Sequence, residues 1–250
     1  MMLEVRDLHL SFSGVRALAG VDLSVAADET LGIIGPNGSG KSTLFNVVTG
    51  IYAPQRGTVS LRGEAITGNG PRAIVQQGLA RTYQNKRLFG SLTVLENVLV
   101  PAMRTAPGGM LGDMFGRSAP RGAAERTARE CLGFVGLAKL AEARAGSLAY
   151  GQQNRLELAR ALALGPALLL LDEPAAGLNP SEREEMGTLI GRIRSRGITV
   201  ALVEHDMAVV MRLCSRIVVL DQGRVIASGP PDAVARDPAV IAAYFGSPDD

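Results

Sequence analysis

The residues best suited to chemistry form a glycine-rich segment near the N-terminus. Residues 35–42 read Gly-Pro-Asn-Gly-Ser-Gly-Lys-Ser, with the spacing G-x-x-x-x-G-K-S. Glycines in such a loop let backbone N–H groups converge on phosphate oxygens, and the following helix N-terminus attracts the anion. We expect Lys41 to contact the β- and γ-phosphates of a nucleotide and Ser42 to contact Mg²⁺. The expected binding segment is Gly35, Pro36, Asn37, Gly38, Ser39, Gly40, Lys41, Ser42 and Thr43.

Lys41 stands out because arginine supplies almost all other positive charge. The 26 basic residues include only three lysines, Lys41, Lys86 and Lys139, which leaves 26 − 3 = 23 arginines. A lysine therefore stands at the one position where phosphate chemistry requires it, which supports the nucleotide-binding prediction.

Two adjacent carboxylates form a second candidate centre. Asp172 and Glu173 follow the apolar run Leu168–Leu171. Buried carboxylates are costly unless a metal or a hydrogen-bond donor satisfies them. We expect Asp172 to hold Mg²⁺ and Glu173 to orient and deprotonate the attacking water. With the glycine-rich loop, this pair predicts a P-loop NTPase with an α/β fold.

Further short motifs narrow this large class. They are Phe12 before Gly14, Gln84 in Arg-Thr-Tyr-Gln-Asn, Leu148–Gln152 (Leu-Ala-Tyr-Gly-Gln), Gly177–Asn179, and His205 in Glu-His-Asp. Their order and spacing resemble those of the ATP-binding cassette (ABC) ATPases, and the resemblance covers essentially the whole chain. Taken singly, Phe12 also fits a core residue, Gln84 any polar residue entering a helix, and His205 a loop-edge histidine.

The resemblance implies a role for each of these positions. It assigns catalytic roles to Lys41, Gln84, Glu173 and His205, metal contacts to Ser42, Gln84 and Asp172, and adenine stacking to Phe12. In this family ATP lies between the P-loop of one subunit and the signature segment of another. The signature positions here are Ala149, Tyr150, Gly151 and Gln152.

The chain departs from the family pattern at three of these positions. Ala149 replaces the usual signature serine, Tyr150 replaces a glycine, and Asn179 replaces the usual aspartate of the D-loop. We therefore hypothesise that the composite site using Ala149 is weaker by about 1 kcal/mol, the value of one hydrogen bond. Alternatively, backbone amides at Gly151 carry the phosphate contact and the substitution is neutral.

Longer stretches indicate a transport role. The chain resembles the ATP-binding subunit of branched-chain amino acid importers in residues 81–98, 148–162, 172–180, 203–207 and 237–246. In that group two ATPase subunits pair beneath two membrane permease subunits, which a periplasmic substrate-binding protein feeds. Alternatives are a urea, amide or lipid cargo, a non-transport ABC protein of DNA repair or translation, and a regulatory subunit with negligible hydrolysis. A single P-loop and the absence of sustained heptads argue against the non-transport class.

The elements that must position these residues follow from hydrophobic patterning. Continuous apolar runs separated by helical stretches predict a mostly parallel sheet covered on both faces. The predicted strands are Leu3–Leu10 (an edge strand), Thr30–Ile34, a strand with Val59 and Leu61, Ala167–Leu171, Ile198–Val203, Ile217–Leu220 and Arg224–Ala227. The predicted helices are Lys41–Thr49, Arg126–Leu140, Gly151–Leu164 and Ser181–Ser195.

These elements predict a single ABC domain over residues 1–250. We expect an α/β core with an N-terminal antiparallel β subdomain in residues 1–89 and 161–250. A helical subdomain containing the signature is expected at 90–160.

Composition limits the remaining classes. The net charge of 26 − 24 = +2 and the 4% aromatic content without tryptophan give no reason to expect nucleic acid as a partner. Two distant cysteines predict neither a disulfide framework nor a zinc site. No apolar run approaches the roughly 18 residues of a membrane span, and the N-terminus lacks a signal-peptide pattern. We expect a peripheral protein at the cytoplasmic face of the inner or plasma membrane.

The hydrophobic content of 46% is high for such a protein. Four apolar residues after the glutamine motif could form a groove for a cytoplasmic helix of a membrane partner. They are Tyr83, Leu88, Phe89 and Leu92. Ordinary packing inside the helical subdomain is the alternative.

Overall fold

The computed structural model describes residues 1–84, 86–105 and 119–245. In this part of the chain the strands form two sheets. Their bounds are β1 Leu3–Phe12, β2 Val15–Val25, β3 Thr30–Ile34, β4 Arg56–Leu61, β5 Glu64–Ala65, β6 Leu79–Arg81, β7 Leu168–Asp172, β8 Thr199–Val203, β9 Arg216–Asp221 and β10 Arg224–Gly229.

The helices of the described ranges lie between these strands. They are α1 Lys41–Val48, α2 Pro71–Gln76, α3 Val94–Thr105, α4 Ala119–Phe134, α5 Tyr150–Leu162, α6 Pro180–Arg194, α7 Met207–Leu213, α8 Pro231–Val234 and α9 Pro238–Phe245, with short 3-10 turns at Ala138–Leu140 and Ala145–Ser147. None of them is long and apolar enough to cross a membrane.

The larger sheet has the strand order β10-β9-β3-β8-β7-β6. Its strands run parallel except β10, which returns antiparallel to β9. Every residue of β3, β7 and β8 is buried, as expected for strands covered on both faces. The predicted mostly parallel sheet is therefore confirmed.

Alternate residues of this sheet face two separate cores. Leu169 and Leu171 of β7 pack into the core shared with the helices, including α4 and α5. Leu168 and Leu170 pack into the other core, with α1 and the smaller sheet. Because successive side chains of a strand point to opposite faces of the sheet, this one sheet contributes to both hydrophobic cores.

The smaller sheet is antiparallel in the order β2-β1-β4-β5. The prediction that the first strand lies at an edge is wrong, because β1 pairs with β2 on one side and with β4 on the other. Its one-sided burial reflects which face is covered and carries no information about its neighbours. Strand β2 was not predicted because Gly20, at φ +85°, and irregular pairing with β1 interrupt its alternation.

Helices α3, α4 and α5 pack together, with Val98, Leu132 and Leu156 fully buried among them. The helix predicted at Arg126–Leu140 starts earlier and stops at Phe134. Gly136, at φ +79°, follows that helix end, where a left-handed residue commonly terminates a helix. These helices lie between β6 and β7 in the chain.

Candidate functional site

The carboxyl ends of the parallel strands bring most of the predicted site residues to one edge of the sheet. The glycine-rich loop follows β3, Asp172 ends β7, and His205 lies two residues after the end of β8. Gln84 follows β6 at the same edge. Ligand sites in open α/β sheets form at this edge, outside the carboxyl ends of the strands.

The loop has a backbone conformation that depends on glycine. Gly35 has φ +147°, and a Cβ there would lie 1.9 Å from the carbonyl oxygen of Leu220. Gly40, at φ +106°, precedes α1 and offers no side chain to cap it. The first N–H groups of α1 therefore have no capping side chain from Gly40, which suits a helix N-terminus that binds phosphate.

Lys41 places its ammonium inside the loop. Its Nζ donates to the carbonyl oxygens of Gly35 (2.7 Å) and Pro36 (2.8 Å). Burial lowers the pKa of the Lys41 ammonium, and the carboxylates of Glu173 and Asp172 oppose that shift. The site thus combines a partly desolvated cation, which can neutralise phosphate charge, with nearby carboxylates, which could hold a metal ion or a water.

Glu173 is the point where three predicted residues meet. One carboxylate oxygen lies 2.8 Å from His205 Nε2, and the other accepts a 2.8 Å hydrogen bond from Gln84 Nε2. The backbone N–H of Glu173 donates to Val203 at the end of β8 (2.9 Å). Its φ of +50° is unusual for a residue with a side chain. Two neighbours and the backbone therefore hold this carboxylate in an uncommon conformation.

The predicted metal ligands form a sparse set of oxygen donors. Asp172 supplies a buried carboxylate, Ser42 an exposed hydroxyl and Gln84 a side-chain amide. Among the described residues there is no group of three or more His, Cys, Asp or Glu side chains suited to a metal. A few oxygen donors fit Mg²⁺, which keeps several waters and binds phosphate oxygens.

The signature residues lie at the start of α5. Ala149 is the N-cap residue, and its N–H donates to the side-chain oxygen of Gln152 (3.1 Å). Ala149 has no side-chain oxygen with which to complete a capping box. Gly151 packs against Glu182, because a Cβ at Gly151 would lie 2.5 Å from the Glu182 carboxylate.

Tyr150 lies against the segment that follows Gln84 and against the Gly177–Asn179 segment of its own subunit. The Lys86 ammonium lies over the Tyr150 ring, and a Cβ on Gly177 would lie 2.9 Å from that ring. Tyr150 lines a cavity of 330 Å³ together with Gln84 and Glu173. Ala149, Gly151 and Gln152 line a different cleft.

Phe12 and Asn179 have other local partners. Phe12 is 42% exposed and stacks edge to face on Tyr52, with 5.2 Å between ring centroids, so it is not a core residue. Asn179 caps α6 by accepting a hydrogen bond from the Glu182 N–H (2.9 Å). An uncharged side chain suffices for that capping role.

Two buried glutamates, which were not predicted, accept hydrogen bonds from backbone N–H groups beside the predicted site residues. Glu204 accepts N–H groups from Ala175 (2.8 Å) and His205 (3.1 Å), and Glu157 accepts the Tyr83 N–H (2.7 Å). Burial raises the pKa of both carboxyl groups, and these hydrogen bonds oppose the shift. The sequence feature that could have indicated these buried glutamates is an acidic residue directly beside apolar residues of a predicted helix or strand.

Known proteins provide an independent comparison. Residues 18–176 match the ABC transporter family, and residues 224–250 match the family described as branched-chain amino acid ATP-binding cassette transporter. The chain is 44% identical to the high-affinity branched-chain amino acid transport ATP-binding protein BraF of Pseudomonas aeruginosa. It is 41% identical to the protein of the same description, LivG, of Escherichia coli. Both alignments cover 98% of this chain and 98% of the relative.

Solved structures agree with this comparison. A nucleotide-free ATP-binding cassette from an ABC transporter superposes with a TM-score of 0.87 at 32% identity, covering 98% of this chain and 99% of that one. A dimeric cassette, MJ0796, in a post-hydrolysis state with ADP and Pi gives a TM-score of 0.78 at 28% identity, over 92% and 99% of the two chains. Fold, motifs and full-length relatives agree, and the chain belongs to the ABC transporter family.

Proposed function

We propose that this chain is the ATP-hydrolysing subunit of an importer for branched-chain amino acids. The observation that carries the proposal is similarity along essentially the full length to the transport ATP-binding proteins BraF and LivG. The match of residues 224–250 to the branched-chain amino acid group supports the same cargo. Urea, amides or an exported lipid are the alternative cargoes within the family.

The chain's own residues supply the hydrolytic step by positioning and charge. Lys41 leaves its loop carbonyls to bind the β- and γ-phosphates of ATP, whose anionic oxygens are stronger acceptors. Glu173 orients the attacking water and takes its proton, while His205 and Gln84 fix the carboxylate. A bound Mg²⁺, held by Ser42, Asp172 and Gln84, would neutralise charge on the phosphates.

The hydrolytic unit in this proposal is a dimer with a second ABC ATPase subunit, either a sister chain or a second copy. The N-terminus of α5 in one subunit faces the nucleotide of the other. Two permease subunits bind above this dimer, and a substrate-binding protein delivers the cargo to them. The chain then lies peripherally at the cytoplasmic face of the membrane.

A groove after the glutamine motif is the proposed contact with a permease. Phe89 is 46% exposed, and its backbone N–H and carbonyl are both held by the side chain of Asn97 (2.9 and 3.0 Å). Arg160 lies over the Phe89 ring at 5.3 Å. Leu88 packs partly into the helical core. A rigidly held, exposed aromatic ring suits insertion beside a partner helix.

Reconstitution tests the proposed cargo. The chain would be purified with the membrane subunits that it retains and placed in proteoliposomes. Substrate-binding protein loaded with leucine, isoleucine or valine should raise the ATPase rate, whereas urea and amides should not. Glu173→Gln complexes control for contaminating ATPases. Stimulation by urea or amides alone would refute the amino acid cargo while leaving the ATPase assignment intact.

A further inference from the structure

We propose that Arg81 is a positioning residue that fixes the Asp172 carboxylate relative to the helix bearing Ser42. The inference rests on the proposed role of Asp172 and Ser42 as Mg²⁺ ligands. Arg81 ends β6, beside β7. It is the first residue of the Arg-Thr-Tyr-Gln-Asn motif, but the sequence analysis assigned it no role.

Arg81 is enclosed on several sides. Its Nη2 donates to Asp172 Oδ2 at 2.6 Å, and both side chains are only 6% exposed. Its Nη1 donates to Asn46 Oδ1, also at 2.6 Å. The ring centroids of Phe45 and Tyr83 lie 5.3 and 5.0 Å from the guanidinium carbon. The guanidinium therefore has little freedom to move away from Asp172.

Asn46 connects the contact between Arg81 and Asp172 to the helix that carries Ser42. It lies four residues after Ser42 in α1, so both side chains project from the same face of the helix. A single guanidinium thus joins the helix of Ser42 to the carboxylate of Asp172. The two proposed metal contacts, on different elements, are connected through Arg81.

Arginine is suited to this task because its planar fork donates in two fixed directions, whereas lysine offers a compact point charge. Carboxylates that bind metals are commonly oriented by an outer hydrogen bond, and loss of that partner typically weakens metal binding by about 10–100-fold. The positive charge of Arg81 by itself opposes metal binding, so removal of the charge alone would strengthen binding. Arg81→Lys keeps that charge, so weaker metal binding in this variant reflects the lost geometry of the guanidinium fork.

The experiment measures Mn²⁺ binding, by electron paramagnetic resonance, to the full chain with a non-hydrolysable ATP analogue. Arg81→Lys keeps the charge and should weaken Mn²⁺ binding by about 10-fold or more. Asn46→Ala leaves the ion pair and should weaken it less. Binding of the analogue without metal should be unchanged in both. Arg216→Lys, which alters an arginine bonded to Glu29 and Ser24 away from the site, should bind Mn²⁺ like the wild type.

Asp172→Asn separates this inference from the function on which it rests. If Asp172→Asn retains wild-type Mn²⁺ affinity, the metal role of Asp172 is wrong. If Asp172→Asn weakens binding while Arg81→Lys and Asn46→Ala match the wild type, only the role of Arg81 is wrong. Tighter Mn²⁺ binding in Arg81→Lys would also overturn positioning. If that variant fails to fold, Asn46→Ala decides the test.

Discussion

At the scale of single residues, the proposed catalytic carboxylate is also a strained backbone position. A residue with a side chain at φ +50° costs on the order of 1–3 kcal/mol and persists only where its surroundings fix it. Glu173 is fixed by the backbone of Val203 and by the side chains of His205 and Gln84. The strain and the hydrogen bonds together orient the carboxylate before any water reaches it.

Replacing Glu173 tests its role as the base. Glu173→Gln should bind ATP with little change, because glutamine keeps the size of the side chain and one oxygen that accepts the Gln84 hydrogen bond. The turnover number should fall by about 10²–10⁴-fold, the usual contribution of a general base. Nucleotide binding and ATPase rates of the assembled complex provide the measurements. Glu184→Gln, an exposed glutamate on α6, is the matched control. Normal hydrolysis by Glu173→Gln would refute the assignment.

Glu157 gives a residue-scale prediction about pH. Burial raises the pKa of its carboxyl group, while the Tyr83 N–H, Arg160 and Lys86 oppose the shift. The folded state therefore binds this proton more tightly than the unfolded state. The resulting stability is present below the unfolded pKa of about 4.3 and is lost as pH rises through the folded pKa.

Glu157→Gln cannot ionise, but its side-chain oxygen still accepts the Tyr83 N–H. Relative to this variant, the wild type should lose free energy of unfolding as the pH rises above about 4.3 and through the raised pKa of Glu157. Urea unfolding at several pH values measures the difference. Glu64→Gln, an exposed change on β5, should follow the wild-type pH dependence. Parallel curves for the wild type and Glu157→Gln would contradict the prediction.

At the scale of elements, the start of α5 has an incomplete cap. Gln152 accepts the Ala149 N–H, but alanine cannot return a hydrogen bond to the first turn. A serine N-cap is worth roughly 1 kcal/mol over alanine. The family resemblance implies that the hydroxyl of a serine at this position would also contact the γ-phosphate of the nucleotide bound by the partner subunit. One side chain thus bears on both helix stability and the composite site.

Ala149→Ser separates these two effects. The free energy of unfolding should rise by about 1 kcal/mol as the capping box forms. ATP turnover in the assembled complex should rise by up to about fivefold, the equivalent of one hydrogen bond. Ala138→Ser, an exposed position in the same helical region, should change neither quantity. Higher stability with unchanged turnover would show that backbone amides at Gly151 carry the phosphate contact.

At the scale of the whole molecule, one sheet joins the part of the chain proposed to bind nucleotide to the helical part proposed to contact the permease. The core on one face packs the P-loop helix and the antiparallel sheet, and the core on the other packs the helical region. Gln84 contacts Glu173 at the edge of this sheet, a few residues before the proposed permease groove. A change at the γ-phosphate therefore has a short covalent path to the membrane partner.

Phe89 tests whether that path ends at the permease. Phe89→Ser should reduce co-purification with the membrane subunits by removing an exposed aromatic anchor. Basal ATP hydrolysis by the purified full chain should remain near the wild-type rate. Ile241→Ser on α9 is a control because Ile241 is also 46% exposed. Unchanged assembly of the Phe89→Ser complex, measured by pull-down, would indicate ordinary subdomain packing.

The sequence by itself determined the motifs and most of the parallel strands. The P-loop, the Asp172-Glu173 pair and the buried runs are local patterns, since neighbouring residues alone set their chemistry and burial. The binding and catalytic roles of these residues remain predictions. The ABC family and the mostly parallel sheet could be predicted for the same reason.

Only the tertiary structure decided which distant residues meet. Strand β1 is internal because β4 pairs with its second edge, and one-sided burial does not encode that neighbour. Arg81 and Asp172 lie 91 positions apart in the chain yet share a buried ion pair. Glu157 reaches Tyr83 across 74 positions. Such contacts depend on how the sheet orders its strands and packs its helices, and no local pattern specifies that order.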